Sequence, residues 1–216
     1  MTVKTRTSYF IEHDGQEFET EHQPEEGTEK VTVKEGKAVV SYLCSDPDAG
    51  GWYFDEFDQG EFINLDPRSM GKKLELLDDE SPRQAFERLK GEHPDRVFII
   101  NKYEHGLCRY YRQGDAATSA TIPDQQWDVS HGCALLIVPD DAPDPVKYCD
   151  AVMKEFTNWC NGDIHGICHA TYHLIPESNT WVMDADSEDS CWGYIGYENA
   201  KQELESEHEG LTKELK

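Results

Sequence analysis

The stretch that decides the fold is DPVKYCDAVMKEFTNWCNG, which runs from Asp144 to Gly162. Asp144 is a good helix N-cap, and Pro145 suits the first position of a helix. Apolar side chains then recur every three to four residues, and Gly162 favours a stop at the C-terminal end. The stretch therefore predicts an amphipathic helix at Pro145–Cys160, the best-defined element of the chain.

The segments around this helix have the β-rich or alternating patterns that are typical of strands. Downstream, Asp163–Ile175 and Thr180–Met183 predict strands, and Tyr194–Glu207 predicts a closing helix before a frayed tail at about residues 210–216. Upstream, the patterns predict a short helix at Arg83–Gly91, a loop at Gln113–Gln126, and strands at Ser8–Ile11, Lys30–Val33, Ala38–Leu43, Trp52–Phe57, Glu61–Leu65, Arg96–Tyr103, Leu107–Arg112 and Cys133–Val138.

Composition and element order together predict a folded α+β protein. Five Trp, ten Tyr and eight Phe are more aromatic residues than a disordered acidic chain carries. The elements predict a single domain over residues 1–216, with a mostly antiparallel sheet and two to three helices.

The charge of the chain is strongly negative and is segregated along the sequence. The formal net charge is −24, and four windows without any Lys or Arg hold 133 residues and 29 of the 44 acids. Unneutralised carboxylates repel one another and destabilise the compact state, so such segregation predicts a functional surface. Membranes and nucleic acids are disfavoured as partners because both are negatively charged. The expected partner is a basic protein surface. The windows are Thr7–Glu29, Ala38–Pro67, Gln113–Val146 and Glu155–Ala200.

Carboxylates at strand spacing resemble the charge array of DNA. Duplex DNA carries one charge per ~1.7 Å, so 24 charges match roughly 40 Å of duplex. Alternate strand residues are about 6.6 Å apart, which suits a regular array. We therefore expect an acidic DNA mimic that occupies the basic DNA-binding surface of a host DNA-processing enzyme, of restriction, CRISPR or recombination type. The candidate partner-binding residues are Glu17, Glu19, Glu21, Glu25, Glu26, Asp46, Asp48, Asp55, Glu56, Asp58, Glu61, Asp184, Asp186, Glu188 and Asp189.

No motif in the chain predicts catalysis or a cofactor. Seven cysteines are an odd count with no C-x-x-C pair, which favours reduced thiols and a cytoplasmic location. Met1–Phe10 lacks the apolar region of a secretory signal. There is no G-x-S-x-G, H-E-x-x-H or P-loop motif.

An enzyme that uses Cys168 or Cys191 with a histidine, or a ligand-sequestering protein, is one alternative. A non-mimetic regulator that binds a host enzyme through an aromatic surface is another. Salt adaptation fits poorly with thirteen Lys against seven Arg.

Three histidines, His165, His169 and His173, form an H-x3-H-x3-H series. On a helix they would share one face and suit a metal ion. The local pattern predicts a strand instead, where successive histidines lie roughly 13 Å apart. We therefore expect no joint metal site and no cofactor.

The segment DSCWGYIG, Asp189–Gly196, joins an acidic turn to an aromatic stretch, and its Cys191, Trp192 and Tyr194 are expected to enter the core. This tail resembles the D-S-C-W-G-[FY]-x-G motif of a family of small acidic bacteriophage proteins. The resemblance covers mainly Asp124–Glu207. It implies a phage or mobile-element origin, and it implies no activity and no catalytic residue.

Overall fold

The computed structural model describes residues 8–47, 50–66, 71–213 and 215. The described residues form six helices and eleven strands, and all registered strand pairs are antiparallel. The predicted α+β class with a mostly antiparallel sheet is therefore confirmed. Three helices are long and three have four residues each, so the helix count exceeds the expected two to three.

In chain order the elements are β1 (Tyr9–His13), β2 (Gln16–Thr20), β3 (Lys30–Lys34), β4 (Lys37–Ser45), α1 (Tyr53–Glu56), β5 (Glu61–Asn64), α2 (Pro82–Glu92), β6 (Val97–His105), β7 (Leu107–Arg112), α3 (Ala116–Ser119), α4 (Gln125–Asp128), β8 (Val129–Ile137), α5 (Pro145–Cys160), β9 (Ile164–Ile175), β10 (Thr180–Met183), β11 (Asp189–Ile195) and α6 (Tyr197–Thr212). The contacts that these elements make in space group them into two compact units. Unit 1 is Met1–Ala49 with Asp163–Lys216, and unit 2 is Gly50–Gly162. The single domain over residues 1–216 stays a prediction.

Unit 1 is a five-stranded sheet in which β9 pairs with β4, β10 and β11, and β4 pairs with β3. Because side chains alternate across a sheet, its two faces bury different partners. On one face Tyr172 packs against Phe18 of the β1–β2 hairpin, whose ring centroids are 5.2 Å apart. On the other face Ile167 packs against Ala200 and Leu204 of α6. Hydrophobic burial on both faces holds the hairpin and the helix to the sheet.

Unit 2 is a four-stranded sheet with the order β5-β8-β6-β7. Leu135 and Ile63 on one face pack against Leu89 of α2. Phe62, the neighbour of Ile63, faces the other way and contacts Phe156 of α5, with ring centroids 5.2 Å apart. The sheet is thus covered by α2 on one face and α5 on the other.

Several predicted elements are confirmed. Helix α5 has the predicted bounds, Asp144 caps it by accepting a hydrogen bond from the Lys147 N–H at 3.1 Å, and Gly162 has φ 72°. The predicted strands at Leu107–Arg112 and Thr180–Met183 are also present with the predicted bounds.

Other predictions are wrong, and each error has a physical reason. Trp52–Phe57 was predicted as a strand, but Tyr53–Glu56 is a helical turn that buries Tyr53 completely under α5. The predicted loop at Gln113–Gln126 contains α3 and the start of α4. The final helix begins at Tyr197, because residues 189–195 form β11, and it continues to Thr212. The fraying expected at residues 210–216 stays a prediction.

Candidate functional site

Three carboxylates form one exposed face on the β1–β2 hairpin, here called the hairpin acid face: Glu12, Glu17 and Glu19. Their strands bury Ile11 and Phe18 on the opposite side. Glu12 lies directly opposite Glu17 in the strand register. Like charges in this position are destabilising by about 0.2–1 kcal/mol. Within the described part of the chain, neither carboxylate is paired with a Lys or Arg.

A groove next to this face collects more of the candidate acids. Glu19, Glu21 and Glu188 line a cavity of about 410 Å³ together with Trp181 and neighbouring residues of β10. Glu19 lies on β2 and Glu21 directly follows it, whereas Glu188 directly precedes β11. The fold therefore brings together acids that are about 170 residues apart in sequence.

A second cleft in unit 1 holds a further set. Glu25, Glu26 and Asp46 line a cleft of about 890 Å³ with His22 and Trp192. Trp192 is 41% exposed, and its ring meets His22 edge-on with centroids 5.0 Å apart. The expectation that Cys191 and Trp192 enter the core is wrong, because β11 turns both outward and buries Ile195 instead. Asp48 lies outside the described residues.

Some predicted partner-binding acids already have partners within the fold. Glu61 forms an ion pair with Lys72 at 2.6 Å. Asp184 accepts a hydrogen bond from the Thr171 hydroxyl at 3.0 Å and lies 2.5 Å from His173 Nδ1. These contacts, His173 first, lower the pKa of Asp184. Both carboxylates therefore already interact within the fold, whereas the charge pattern predicts that they bind a partner.

The remaining candidates divide between the units. Asp186 and Asp189 are exposed in unit 1. Asp55, Glu56 and Asp58 are exposed in unit 2, at and just after α1. The structure thus places six of the candidate acids of unit 1 in two clefts, and it places the acids around α1 in the other unit. Unit 1 alone has 23 Asp and Glu against eight Lys and Arg.

Sequence reasoning missed Glu12, His22 and Trp192 as members of this surface. For Glu12 a signal was present. Asp14 and Gly15 have φ of 51° and 73°, and an Asp-Gly pair is a strong indicator of a two-residue hairpin turn. Recognising that turn places Glu12 opposite Glu17. His22 and Trp192 meet only in the tertiary structure.

The three spaced histidines lie on β9, which confirms the predicted strand, and each has its own partners. His165 lies between two carboxylates, with Nδ1 2.8 Å from Glu25 and Nε2 2.8 Å from Asp163. Glu25 is therefore both a cleft residue and an internal partner. Among the described residues, no group of three or more His, Cys, Asp or Glu is arranged to hold a metal ion. The absence of a joint metal site stays a prediction.

His169 belongs to a chain of polar contacts between β9, β4, β3 and α6. Its Nε2 lies 2.5 Å from Glu207, and its Nδ1 lies 2.8 Å from the hydroxyl of Ser41. The same hydroxyl lies 2.8 Å from Nδ1 of His208, whose Nε2 lies 3.0 Å from the Thr32 hydroxyl. Ser41 is fully buried. Despite its likeness to a Ser-His-Glu triad, this arrangement cannot offer Ser41 to a substrate, and it serves to attach α6 to the sheet.

The buried His208 makes the stability of unit 1 dependent on pH. Burial lowers its pKa, and the neighbouring His169 and Lys30 lower it further. The unfolded chain, with a His pKa of about 6.5, then binds the proton more readily than the folded chain. Stability from this group is complete above pH ~6.5 and is lost as the pH falls towards the folded pKa, by at most ~1.4 kcal/mol per pH unit.

We expect His208→Gln to flatten this dependence, because glutamine keeps hydrogen-bonding groups but does not titrate. Urea unfolding between about pH 5 and pH 8 measures the difference between the two curves, in which the titration of groups remote from His208 cancels. The exposed His131 provides the control, as His131→Gln should leave the slope unchanged. Parallel curves for wild type and His208→Gln would contradict the assignment.

The cysteines named as alternative nucleophiles are poorly placed for catalysis. Cys168 is buried, with its sulfur 3.2 Å from that of Cys44, and the contact with Cys44 together with burial raises its pKa. Cys191 is exposed and contacts Tyr194. In unit 2 a hydrogen bond from Cys160 lowers the pKa of Cys108 to about 7. None of these thiols has a histidine partner among the described residues.

Comparison with known proteins adds no assignment: no family model matches the sequence, and neither a curated protein nor a solved structure matches it. None of the described helices has the length and apolar character needed to cross a membrane.

Proposed function

We propose that this chain is an anti-defence inhibitor of a phage or mobile element, which acts in the host cytoplasm as an acidic DNA mimic. It would occupy the basic DNA-binding surface of a host DNA-processing enzyme, of restriction, CRISPR or recombination type. The proposal requires no cofactor, no catalysis by this chain and no direct contact with nucleic acid. The distribution of charge over unit 1 supports the proposal.

The observation that carries the proposal is the hairpin acid face. The register places Glu12 against Glu17, and Glu19 follows on the same side, without a described Lys or Arg to neutralise Glu12 or Glu17. Such repulsion lowers stability and needs a compensating use. Arg and Lys of a DNA-binding groove would supply charge-assisted hydrogen bonds to these carboxylates. The adjoining groove with Glu21 and Glu188 extends the same negative surface.

The test is inhibition of DNA cleavage by a defined panel: type I and type II restriction endonucleases, a CRISPR effector nuclease and a recombination nuclease. We expect at least one enzyme to be inhibited, with added duplex DNA relieving the inhibition. Affinity should fall steeply as salt rises above ~0.1 M, where the Debye length is about 10 Å. Inhibition that is insensitive to both salt and DNA, or no inhibition of any enzyme, would refute the proposal.

The triple variant Glu12→Gln, Glu17→Gln and Glu19→Gln tests the surface itself. We expect it to slow association with the inhibited enzyme by roughly tenfold, since charge complementarity mainly sets the on-rate. The variant should also be slightly more stable, because the repulsion between Glu12 and Glu17 is removed. Stopped-flow or surface-plasmon measurements give the on-rate, and urea unfolding gives the stability.

A matched control changes the same number of charges elsewhere. Asp78, Asp79 and Glu87 are exposed residues of unit 2, and no described cation pairs with them. Asp78→Asn, Asp79→Asn and Glu87→Gln together should therefore alter association much less. An equal effect of both triple variants would show that only net charge matters, which contradicts a specific face.

One observation favours a second candidate, the non-mimetic regulator. Trp127 in α4 is 83% exposed, which is unusual for so large an apolar side chain. If binding depends on this aromatic surface, Trp127→Ala should abolish inhibition while salt and the triple Glu variant have little effect. The opposite pattern is expected for the DNA mimic.

A further inference from the structure

One cavity of unit 2 has more basic than acidic residues on its wall, although the chain as a whole is strongly acidic. It has a volume of about 300 Å³ and lies between β7, α3 and α5. Three of its lining residues are cations, namely Arg109, Arg112 and Lys154. In a protein with 44 acids and 20 basic residues, a cavity wall with more cations than acids is unexpected.

The two acids of the cavity already have partners. Asp150 binds the guanidinium of Arg112 through two contacts, at 2.8 Å from Nε and 3.0 Å from Nη2. Asp115 caps α3 by accepting a hydrogen bond from the Thr118 N–H at 3.1 Å. The two-point contact fixes the Arg112 side chain and neutralises its charge.

The other two cations have no such neutralisation. Arg109 donates one hydrogen bond, from Nη1 to the Thr121 hydroxyl at 2.8 Å, which leaves most of its five N–H donors available. Lys154 is exposed on α5. Within the described part of the chain, no carboxylate lies within ion-pairing distance of either side chain. Two basic residues therefore line the cavity without a carboxylate partner among the described residues.

The walls of the cavity are held in place independently of any ligand. Thr157 of α5 accepts a hydrogen bond from the Tyr110 N–H at 2.9 Å, which ties the helix to β7. Met153, which is only 1% exposed, is a further lining residue. A volume of about 300 Å³ is at the lower end of the range for small-molecule sites, so the occupant must be compact.

We propose that this cavity binds a small phosphate monoester through Arg109 and Lys154. A phosphate monoester carries a charge of about −1.5 to −2 and three terminal oxygens at neutral pH, so it can accept hydrogen bonds from a guanidinium and an ammonium group at the same time. The guanidinium fork suits phosphate oxygens, and lysine supplies a point charge. Asn158 on the cavity wall is an additional hydrogen-bonding group. The site lies in unit 2 and does not depend on the proposed DNA mimicry.

Isothermal titration calorimetry on the full chain tests this site with three probes: ribose 5-phosphate, inorganic phosphate and acetate. We expect ribose 5-phosphate to bind more tightly than acetate. Similar affinities for ribose 5-phosphate and inorganic phosphate would assign recognition to the phosphate group alone, and a stronger sugar phosphate would show that the rest of the cavity contributes. Absence of binding by both phosphates, or equal binding of acetate, would overturn the proposal.

Variants locate the binding. Lys154→Gln and Arg109→Gln should each weaken phosphate binding by about tenfold, the effect of losing one charged hydrogen bond. Lys147→Gln is the matched control, because Lys147 is also on α5 but is paired with Asp144 and does not line the cavity. Circular dichroism checks that each variant is folded. Binding unchanged in both cavity variants, or weakened equally in the control, would contradict the site.

Discussion

Replacing Phe156 by alanine is expected to lower the free energy of unfolding of unit 2 by about 3–5 kcal/mol. Phe156 is fully buried in α5. Truncation removes its apolar area and leaves a cavity among rigid rings that cannot collapse to fill it. Its ring centroid lies within 6.1 Å of six other aromatic ring centroids, those of Trp52, Tyr53, Phe54, Phe62, Tyr110 and Trp159.

Urea unfolding measures this loss, and Trp127→Ala is the control. Trp127 is also an aromatic residue of unit 2, but it is 83% exposed. Its removal should change stability by no more than about 0.5 kcal/mol. A loss of less than ~1 kcal/mol for Phe156→Ala would contradict the close packing of the aromatic cluster. Since most domains have only 5–15 kcal/mol of stability, the expected loss is a large fraction of the total.

The same cluster decides which aromatic substitution can test binding. Trp52 is half-buried, and a Cβ placed on Gly71 would lie 2.8 Å from its indole nitrogen. Trp52→Ala would therefore disturb packing as well as any partner surface. Trp127→Ala separates the two effects, because a change in inhibition without a change in stability reports on the partner alone.

Local signals explain the elements that could be predicted from the sequence. Helix α5 combines an N-cap, a proline at the first position, a regular apolar spacing and a C-terminal glycine, and all four agree. Strand β2 was missed because its sequence, QEFET, has a single large apolar residue, Phe18, between acids. The turn at α1 was misassigned because aromatic residues are typical of strands, while burial of Tyr53 under α5 is a tertiary effect.

The candidate site was predictable only in part, for a related reason. Windows without Lys or Arg locate negative charge, but they do not show which carboxylates are neutralised by the fold. Glu25 meets His165 across 140 residues, and Arg112 meets Asp150 across 38. Such pairs depend on strand register and helix packing, which sequence spacing does not reveal. The cationic cavity was missed because β7 and α5 contribute to it from distant positions.

Substituting Gly166 by alanine is expected to destabilise unit 1 by about 1–3 kcal/mol through a single contact. A Cβ at Gly166 would lie 2.5 Å from Cε3 of Trp192, which is closer than any ordinary packing contact. The indole must therefore move, and it can move because it is 41% exposed in the cleft that also contains Glu25 and Glu26. The substitution thus changes the shape of the acidic cleft.

A double-mutant cycle with Trp192→Ala isolates this contact. In the Trp192→Ala background, Gly166→Ala should cost almost nothing, so the coupling energy should approach the full cost of the single change. Gly210→Ala is the control: it lies in α6 of the same unit with nothing within 4 Å of an added Cβ. Alanine should stabilise that helical position by up to about 1 kcal/mol. Additive effects of Gly166→Ala and Trp192→Ala in urea unfolding would show that the two residues do not touch. That result would also contradict the inference that Gly166→Ala changes the shape of the acidic cleft through Trp192.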